Sequence, residues 1–412
     1  MRPKFGILGG GYVGLREAVG WAEQGYKVIL IESEAMRFHE LVEGDFISSE
    51  QELIEIFQRL RKQGKLEITQ DLSILSNIDY VMVCMETDLA SLWATVEQMA
   101  AYLLDHAAVI IKNTVPVGTA DLVQDWFKQK YQPIEVISYP HFFREGKTIE
   151  DIRNPSRIIL GGDADHPRMT NLRRILAKHH SPILVTTRKN AEMIKYAAHA
   201  FLATKTSFIN EIARVCEGFG LDVQTIAQGI GMDPHIGQAF LKAGIGFEGP
   251  SLPNDLSSLI NQAREHHIEV PLLDAVGRVN QQQKEWVLTK LKENFDTIEG
   301  KRMGIWAVIH HSDVLSLIEK LQGYGAALQI YDPFRTTTEG NFRGKLCLHP
   351  LEAVEHADVL LILTDWQEFK EVDLFDVKKR LQSPLVIDGR NLYPPDLMKE
   401  LGFQYVSVGR KV

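Results

Sequence analysis

The chain has 412 residues, of which 45% are hydrophobic and 24% charged, with a formal net charge of -9 at neutral pH and an isoelectric point near 5.9. This is the composition of a soluble globular protein with room for two or three separate cores. The acidity argues against a nucleic-acid or anionic-membrane partner, which an acidic surface repels.

From Lys4 to about Val185, short β-rich runs at Phe5–Leu8, Lys27–Ile31, Tyr80–Met85, Val109–Lys112 and Val136–Ile137 alternate with helical stretches. That alternation predicts βαβ units and a doubly wound parallel sheet. The first unit carries Gly9-Gly10-Gly11-Tyr12-Val13-Gly14, a G-x-G-x-x-G turn placed directly after a strand and opening a helix that closes at Gly25 before the next strand. Gly9 permits the tight turn, Gly11 lets the backbone approach a pyrophosphate, and Gly14 allows close helix–strand packing at the helix N-terminus. Glu32 ends the second strand, where a carboxylate accepts the ribose 2′-hydroxyl and repels a 2′-phosphate, so the expected cofactor is NAD. NADP, with Arg37 as the partner of its extra phosphate, is the lesser alternative.

From Asn190 to about Asn294 strand signals stop, and Ala191–Gly218 has apolar residues at helical spacing with few breakers. A helix of roughly 28 residues spans about 42 Å, long enough to link two domains and offer a dimerisation face. Strand signals return at Met303–Ile309, Ala327–Tyr331, Val359–Thr364 and Leu385–Asp388, a second and smaller α/β unit without a glycine fingerprint. The expected architecture is two Rossmann-like doubly wound parallel sheets joined by a long central helix and a helical dimerisation region. The expected domains are 1–189 for NAD, 190–294 for dimerisation and 295–412 for a nucleotide sugar.

Cys84, Cys216 and Cys347 are scattered, odd in number and lack the paired spacing of zinc sites, so they read as reduced, mostly core thiols. The histidine pairs His179-His180, His266-His267 and His310-His311 are adjacent rather than three or four apart, and no metal site is expected. With no apolar signal core at the start and no run of about 18 apolar residues, a cytoplasmic protein without a membrane segment is expected.

Several segments together are similar to the UDP-glucose/GDP-mannose dehydrogenase family over essentially the whole chain. They are Gly11-Tyr12-Val13-Gly14-Leu15, Thr114-Val115-Pro116-Val117-Gly118-Thr119, Phe142-Phe143-Arg144-Glu145-Gly146, Asn154-Pro155-Ser156-Arg157, the stretch from Ala191 to Glu211, Tyr331-Asp332-Pro333, Thr364-Asp365-Trp366, Asp388-Gly389-Arg390-Asn391-Leu392 and Val408-Gly409-Arg410. The resemblance implies a four-electron oxidation of a sugar C6 alcohol to a carboxylate by NAD through an enzyme thioester, with Lys195 as the active-site lysine. It places the nucleophilic cysteine in a Gly-Phe-Gly-Gly-Ser-Cys-Phe-Pro-Lys-Asp loop. Here that loop runs from Gly246 through Phe247, Gly249 and Ser251 to Asn254 and Asp255, and Ser251 holds the nucleophile position. His141 replaces a carboxylate, His199 an asparagine, Asn254 the loop lysine and His235 a partner-subunit arginine, while the family's basic segment is eroded at 308–316.

The resemblance adds Tyr12, Val13, Thr87, Thr114 and Glu145 to the cofactor residues. It assigns the sugar nucleotide to Phe143, Arg144, Glu145, Lys195, Phe247, Gly249 and Arg390. Catalysis is expected from Lys195, Asp255, Ser251, His141, His199 and Thr114. Lys195 and His199 stand four apart, so both can face one ligand oxygen. A histidine at 141, titrating near 6.5 when unperturbed, can accept an alcohol proton, although loop packing accounts for it nearly as well.

A serine is a weaker nucleophile than a thiolate, so a two-electron oxidation of a nucleotide sugar stands beside the family's four-electron one, with UDP-sugars favoured. Another nucleotide-linked alcohol is a weaker option. A catalytically impaired nucleotide-sugar or NAD binding protein, acting as a sensor or partner, is the alternative from another class. A homodimer through the Ala191–Gly218 helix is expected.

Overall fold

The computed structural model describes residues 2–44, 51–85, 88–143, 147–247, 249, 251–309, 312–334 and 344–410. Two compact units divide the chain, residues 1–197 and 198–412.

In the first unit the strands are β1 (Lys4–Leu8), β2 (Lys27–Ile31), β3 (Leu66–Thr69), β4 (Tyr80–Val83), β5 (Ala108–Ile111), β6 (Glu135–Ser138), β7 (Ile158–Gly161) and β8 (Ile183–Thr186). They form one sheet in the order β3-β2-β1-β4-β5-β6-β7-β8. The first six are parallel, in the strand order of a dinucleotide-binding fold. β7 meets β6 antiparallel through Ser138 and Gly161, and β8 follows it in parallel. Successive strand residues face opposite sides. Phe5, Ile7, Val28, Leu30, Tyr80 and Met82 therefore enter one core, and Leu8, Ile29, Ile31, Val81 and Val83 the other. Both faces are covered, which is why these strands read as continuous apolar runs.

The second unit contains β9 (Arg302–Trp306), β10 (Ala327–Tyr331), β11 (Lys345–Cys347), β12 (Val359–Ile362), β13 (Leu385–Asp388) and β14 (Gln404–Ser407). Their order is β11-β10-β9-β12-β13-β14 and every pairing is parallel, so the first unit's core topology recurs. Predicted strands that ran on to Met85, Lys112, Ile309 and Thr364 stop earlier, because the chain turns out of the sheet at the carboxyl ends where ligands bind in such folds.

Between the two sheets in sequence, no strand forms among the described residues from 188 to 294. The central helix is Arg188–Phe219, 32 residues and about 48 Å at the usual rise. It runs one turn longer at its start than predicted, and the division between the units falls inside it, after Ala197. Alanines at 191, 197, 198, 200, 203 and 213 favour it. It stops at Gly220 rather than at Gly218, because Gly220 takes a left-handed φ of 67° and Leu221 N–H reaches back to Cys216 O at 2.9 Å. Four further helices, Val223–Gly231, Ser251–Glu265, Pro271–Lys284 and Trp286–Asn294, complete this stretch.

Candidate active site

In the first unit β1 delivers the chain into the glycine turn. Gly9 has φ 98°, and its N–H bonds Ile31 O at 2.9 Å. A Cβ on Gly14 would lie 1.8 Å from Gly9 O, so only glycine lets the helix Tyr12–Glu23 start this close to the strand. Among the described residues no side chain caps Gly11, and the amide dipoles of such a helix start attract an anion. Glu32, directly after β2 and almost fully buried, accepts Gly10 N–H at 2.7 Å and Glu34 N–H at 2.8 Å. Each oxygen retains a further lone pair for a ribose hydroxyl. The cradle fits a dinucleotide: an amide-lined turn, a helix N-terminus and a carboxylate at the end of β2. Arg37 lies 3.7 Å from Glu34 on an exposed helix turn. Tyr12, beside Val13, places its ring 2.9 Å from the Arg16 guanidinium carbon and its hydroxyl 3.4 Å from Thr148 Oγ1.

The carboxyl end of β5 leads through Lys112 to Thr114, which is half-buried. Lys112 Nζ lies 2.9 Å from Glu17 Oε1 with both side chains almost wholly buried, and Trp21 Nε1 donates to Glu17 Oε2 at 3.0 Å. A buried pair of this kind holds two elements in register, since removing either partner strands a charge. The Lys112 carbonyl faces Nδ1 of His141 at 3.3 Å, and the His141 ring stacks on Phe143 at 5.7 Å. Lys195, only 2% exposed, donates from Nζ to His141 O at 2.7 Å and stands 5.5 Å over the Phe142 ring. One turn earlier on the same helix, Glu192 accepts Gly118 N–H at 2.6 Å and Ala120 N–H at 2.9 Å, capping the helix Thr119–Gln129. Burial outweighs those two donors and pushes its carboxyl up to about 7.

In the second unit Nδ1 of His199 lies 2.6 Å from Oδ2 of Asp255, the two side chains being 13% and 11% exposed. Ser251 opens the helix Ser251–Glu265, and Asp255 follows one turn later. Phe247 is buried against Ala200, Ala203 and Leu256. The chain approaching it is fastened at four points. Gly244 N–H donates to Asn210 Oδ1 and Ile245 N–H to Gly389 O, both at 2.9 Å. Phe247 N–H donates to Asn280 Oδ1 at 2.9 Å, and Arg390 Nη1 to Gly246 O at 3.1 Å. Arg390 Nε also donates to Leu363 O at 2.8 Å. Behind it Asp388 is fully buried and accepts Arg390 N–H, Leu392 N–H and the Tyr405 hydroxyl at 2.8, 2.7 and 2.6 Å; burial still raises its carboxyl above the usual range. Gly249, at φ 79°, meets nothing within 4 Å of an added Cβ.

Thr87, Arg144, Glu145, His310 and His311 lie outside the described residues. Among those that are described, no cluster of three His, Cys, Asp or Glu residues could hold a metal ion, and no helix is long and apolar enough to cross a membrane. All three thiols are buried. Burial raises Cys84 well above its ordinary range, raises Cys216, and lifts Cys347 to about 11. Sequence reasoning passed over Glu192, Asn210, Asn280 and the Glu17–Lys112 pair. Glu192 carried a usable signal, being an acid three residues before Lys195 on the same helical face.

Two sheets of one strand order, the first with a dinucleotide cradle and the second with its loops gathered around Asp388 and Arg390, define a Rossmann-type dehydrogenase with a second nucleotide-binding unit. Residues 3–180 match the NAD binding domain of the UDP-glucose/GDP-mannose dehydrogenase family, 189–282 its central domain and 307–395 its UDP binding domain. The chain belongs to the UDP-glucose/GDP-mannose dehydrogenase family, whose members are NAD-dependent nucleotide-sugar dehydrogenases, and its cofactor is NAD. It is 34% identical over 431 residues to UDP-glucose 6-dehydrogenase TuaD of Bacillus subtilis (strain 168), covering 99% of this chain and 93% of that protein. It is also 34% identical over 434 residues to UDP-glucose 6-dehydrogenase of Rhizobium meliloti (strain 1021), covering 99% of each. In fold it is similar to a UDP-glucose dehydrogenase from the hyperthermophilic archaeon Pyrobaculum islandicum, with a TM-score of 0.89 at 24% identity over 100% of this chain and 98% of that one.

Proposed function

We propose that this chain oxidises the alcohol of a UDP-sugar by two electrons, to an aldehyde or ketone, and does not carry the product on to the carboxylate. The reading rests on Ser251. It stands at the nucleophile position of the family's loop, exposed at the first turn of its helix, and its hydroxyl makes no hydrogen bond to a described residue. A serine becomes a competent nucleophile only with an adjacent base. Bound NAD+ supplies the hydride acceptor. Gly9, Gly11 and Gly14 would hold its pyrophosphate and Glu32 its ribose, with Tyr12, Val13 and Thr114 alongside. Lys195, an ammonium already directed at a carbonyl oxygen, would stabilise charge developing on the sugar oxygen. Ser251, Phe247, Gly249 and Arg390 would line the sugar-nucleotide side, joined by Phe143.

The domain division 1–189, 190–294 and 295–412 and a cytoplasmic location belong to the same reading, as does a homodimer through the central helix. Phe201, Phe208 and Val215, exposed at heptad spacing and followed by Phe219, are the apolar seam that supports this assembly. Light scattering that returned a monomer would remove it.

The decisive experiment incubates purified protein with NAD+ and a panel of UDP-, GDP- and TDP-sugars and weighs the product. One NADH per sugar with an aldehyde or ketone is the expected result. Two NADH with a carboxylate would overturn the two-electron reading. Tight binding of a sugar nucleotide with no NADH would favour a binding protein over an enzyme.

A further inference from the structure

We infer that His199 is the general base of this oxidation and that Asp255 is its positioning residue, the pair taking the alcohol proton through Nε2 of His199. The inference rests on the dehydrogenase reading above and names the residue that reading leaves open.

The two residues reach one another from separate helices. His199 lies on Arg188–Phe219 and Asp255 on Ser251–Glu265, and Nδ1 stands 2.6 Å from Oδ2 with both side chains mostly buried. Although they lie this close, neither atom makes a hydrogen bond to any described residue, the other included. Poor alignment of this kind is common in catalytic pairs before substrate is present. A carboxylate this sheltered favours a donor, and the imidazole provides one by carrying its proton on Nδ1. That tautomer puts the free lone pair on Nε2, which has no hydrogen bond to a described residue. The two groups are thus held together by packing and are otherwise unspent.

Its surroundings fit a substrate-facing base. Ala200, the next residue, packs with Phe247, and Arg390 holds the carbonyl of Gly246 immediately before that phenylalanine. Ser251 stands one turn ahead of Asp255, yet no hydrogen bond joins it to His199, so the imidazole is not committed to activating a serine.

In the step itself the alcohol O–H bond breaks and its proton passes to Nε2. The carbon–hydrogen bond breaks with its electron pair leaving as hydride to NAD+, and the carbon–oxygen double bond forms. Asp255 carries no proton at any stage. It offsets the positive charge of His199 until the proton is released to solvent.

The full-length protein tests this in two ways. With the sugar nucleotide that wild type oxidises, H199Q should lower kcat by about 10² to 10⁴, while KM and the calorimetric affinities for NAD+ and sugar nucleotide stay within a few-fold. D255N should lower kcat by less, again without moving KM. Independently of turnover, long-range nitrogen–proton NMR of wild type should show His199 protonated at Nδ1 alone, and D255N should give a mixture of tautomers. If wild type oxidises a sugar and H199Q keeps its kcat, or if wild-type His199 carries its proton on Nε2, the dyad is overturned and the dehydrogenase reading stands. If wild type oxidises nothing in the panel, the functional reading falls and the dyad's role falls with it.

Discussion

The two sheets share a strand order and close their first turn in the same way, yet only one is built for a dinucleotide. Glu32 follows β2 and accepts the N–H of Gly10 at 2.7 Å and of Glu34, two residues on, at 2.8 Å. Asp332 follows β10 and accepts the N–H of Ile309 at 2.8 Å and of Phe334, again two residues on, at 2.9 Å. The acid after the second strand therefore works first as a clasp on the loop beside it, in both units. What separates them is the loop. In the first unit glycines let a helix begin against the strand, whereas in the second the β9 exit is Ala307-Val308-Ile309, and the Val308 N–H is taken by Thr364 Oγ1 at 3.1 Å. Strand order supplies a crevice; the backbone freedom of three residues decides whether a pyrophosphate fits it.

The sharpest way to break this comparison is Gly14→Val. A Cβ placed 1.8 Å from Gly9 O forces the turn open. Overpacking on this scale costs about 3 kcal/mol, so the first unit should lose stability and NAD+ affinity together while calorimetry still finds the sugar nucleotide bound. Retained NAD+ affinity would show that the glycine contact is not what distinguishes the units.

Next in size is a pH effect confined to the first unit. The Glu192 carboxyl stands at about 7 in the folded chain against an ordinary 4.5, so the folded state holds its proton more tightly than the unfolded state does. The stability this gives is fully present below the ordinary value and is lost as pH rises through about 7, a span of about 3 kcal/mol. Denaturant midpoints should fall between about pH 5 and about pH 8 in wild type, and Glu192→Gln should flatten that slope. An unchanged slope in the variant would remove Glu192 as its source.

The smallest effects come from opening the two clasps. Glu32→Ala and Asp332→Ala should each cost about 1 to 2 kcal/mol, the penalty for orphaning a loop N–H. Glu32→Ala should also weaken NAD+ and narrow its advantage over NADP, and Asp332→Ala should weaken only the sugar nucleotide. If Asp332→Ala lowered NAD+ affinity as well, the units could not be treated as independent binders.

Much of this was legible in the residues. β1, β2, β10 and β13 stand out because runs such as Phe5-Gly6-Ile7-Leu8 and Leu385-Val386-Ile387 are buried on both faces, and the glycine turn announces itself by position. β3, β7, β8, β11 and β14 escaped notice. β3 is interrupted by Glu67, β11 is three residues long, and β8 lies at the sheet edge with Leu184 exposed, so none presents the long apolar run that marks a central strand. In the site, Lys195 and the Gly246–Asp255 loop were found by resemblance. The His199–Asp255 contact was not, because 56 residues separate its members and only helix packing brings them together. The same holds for Glu17 with Lys112. Buried polar pairs leave no periodic trace in a sequence.

The three buried cysteines bear on how such a protein ages. Only a thiolate reacts readily with electrophiles and peroxides, and a thiol lifted to about 11, as Cys347 is, has about one molecule in 10⁴ ionised at neutral pH. Cys84 and Cys216 are as well hidden. An enzyme that works through a thioester must keep one sulfur exposed and ionisable, and so can be silenced by alkylation or a burst of oxidant. All three thiols of this chain are buried, so on the proposed two-electron reading its activity should survive alkylation or oxidant that disarms a cysteine-dependent enzyme.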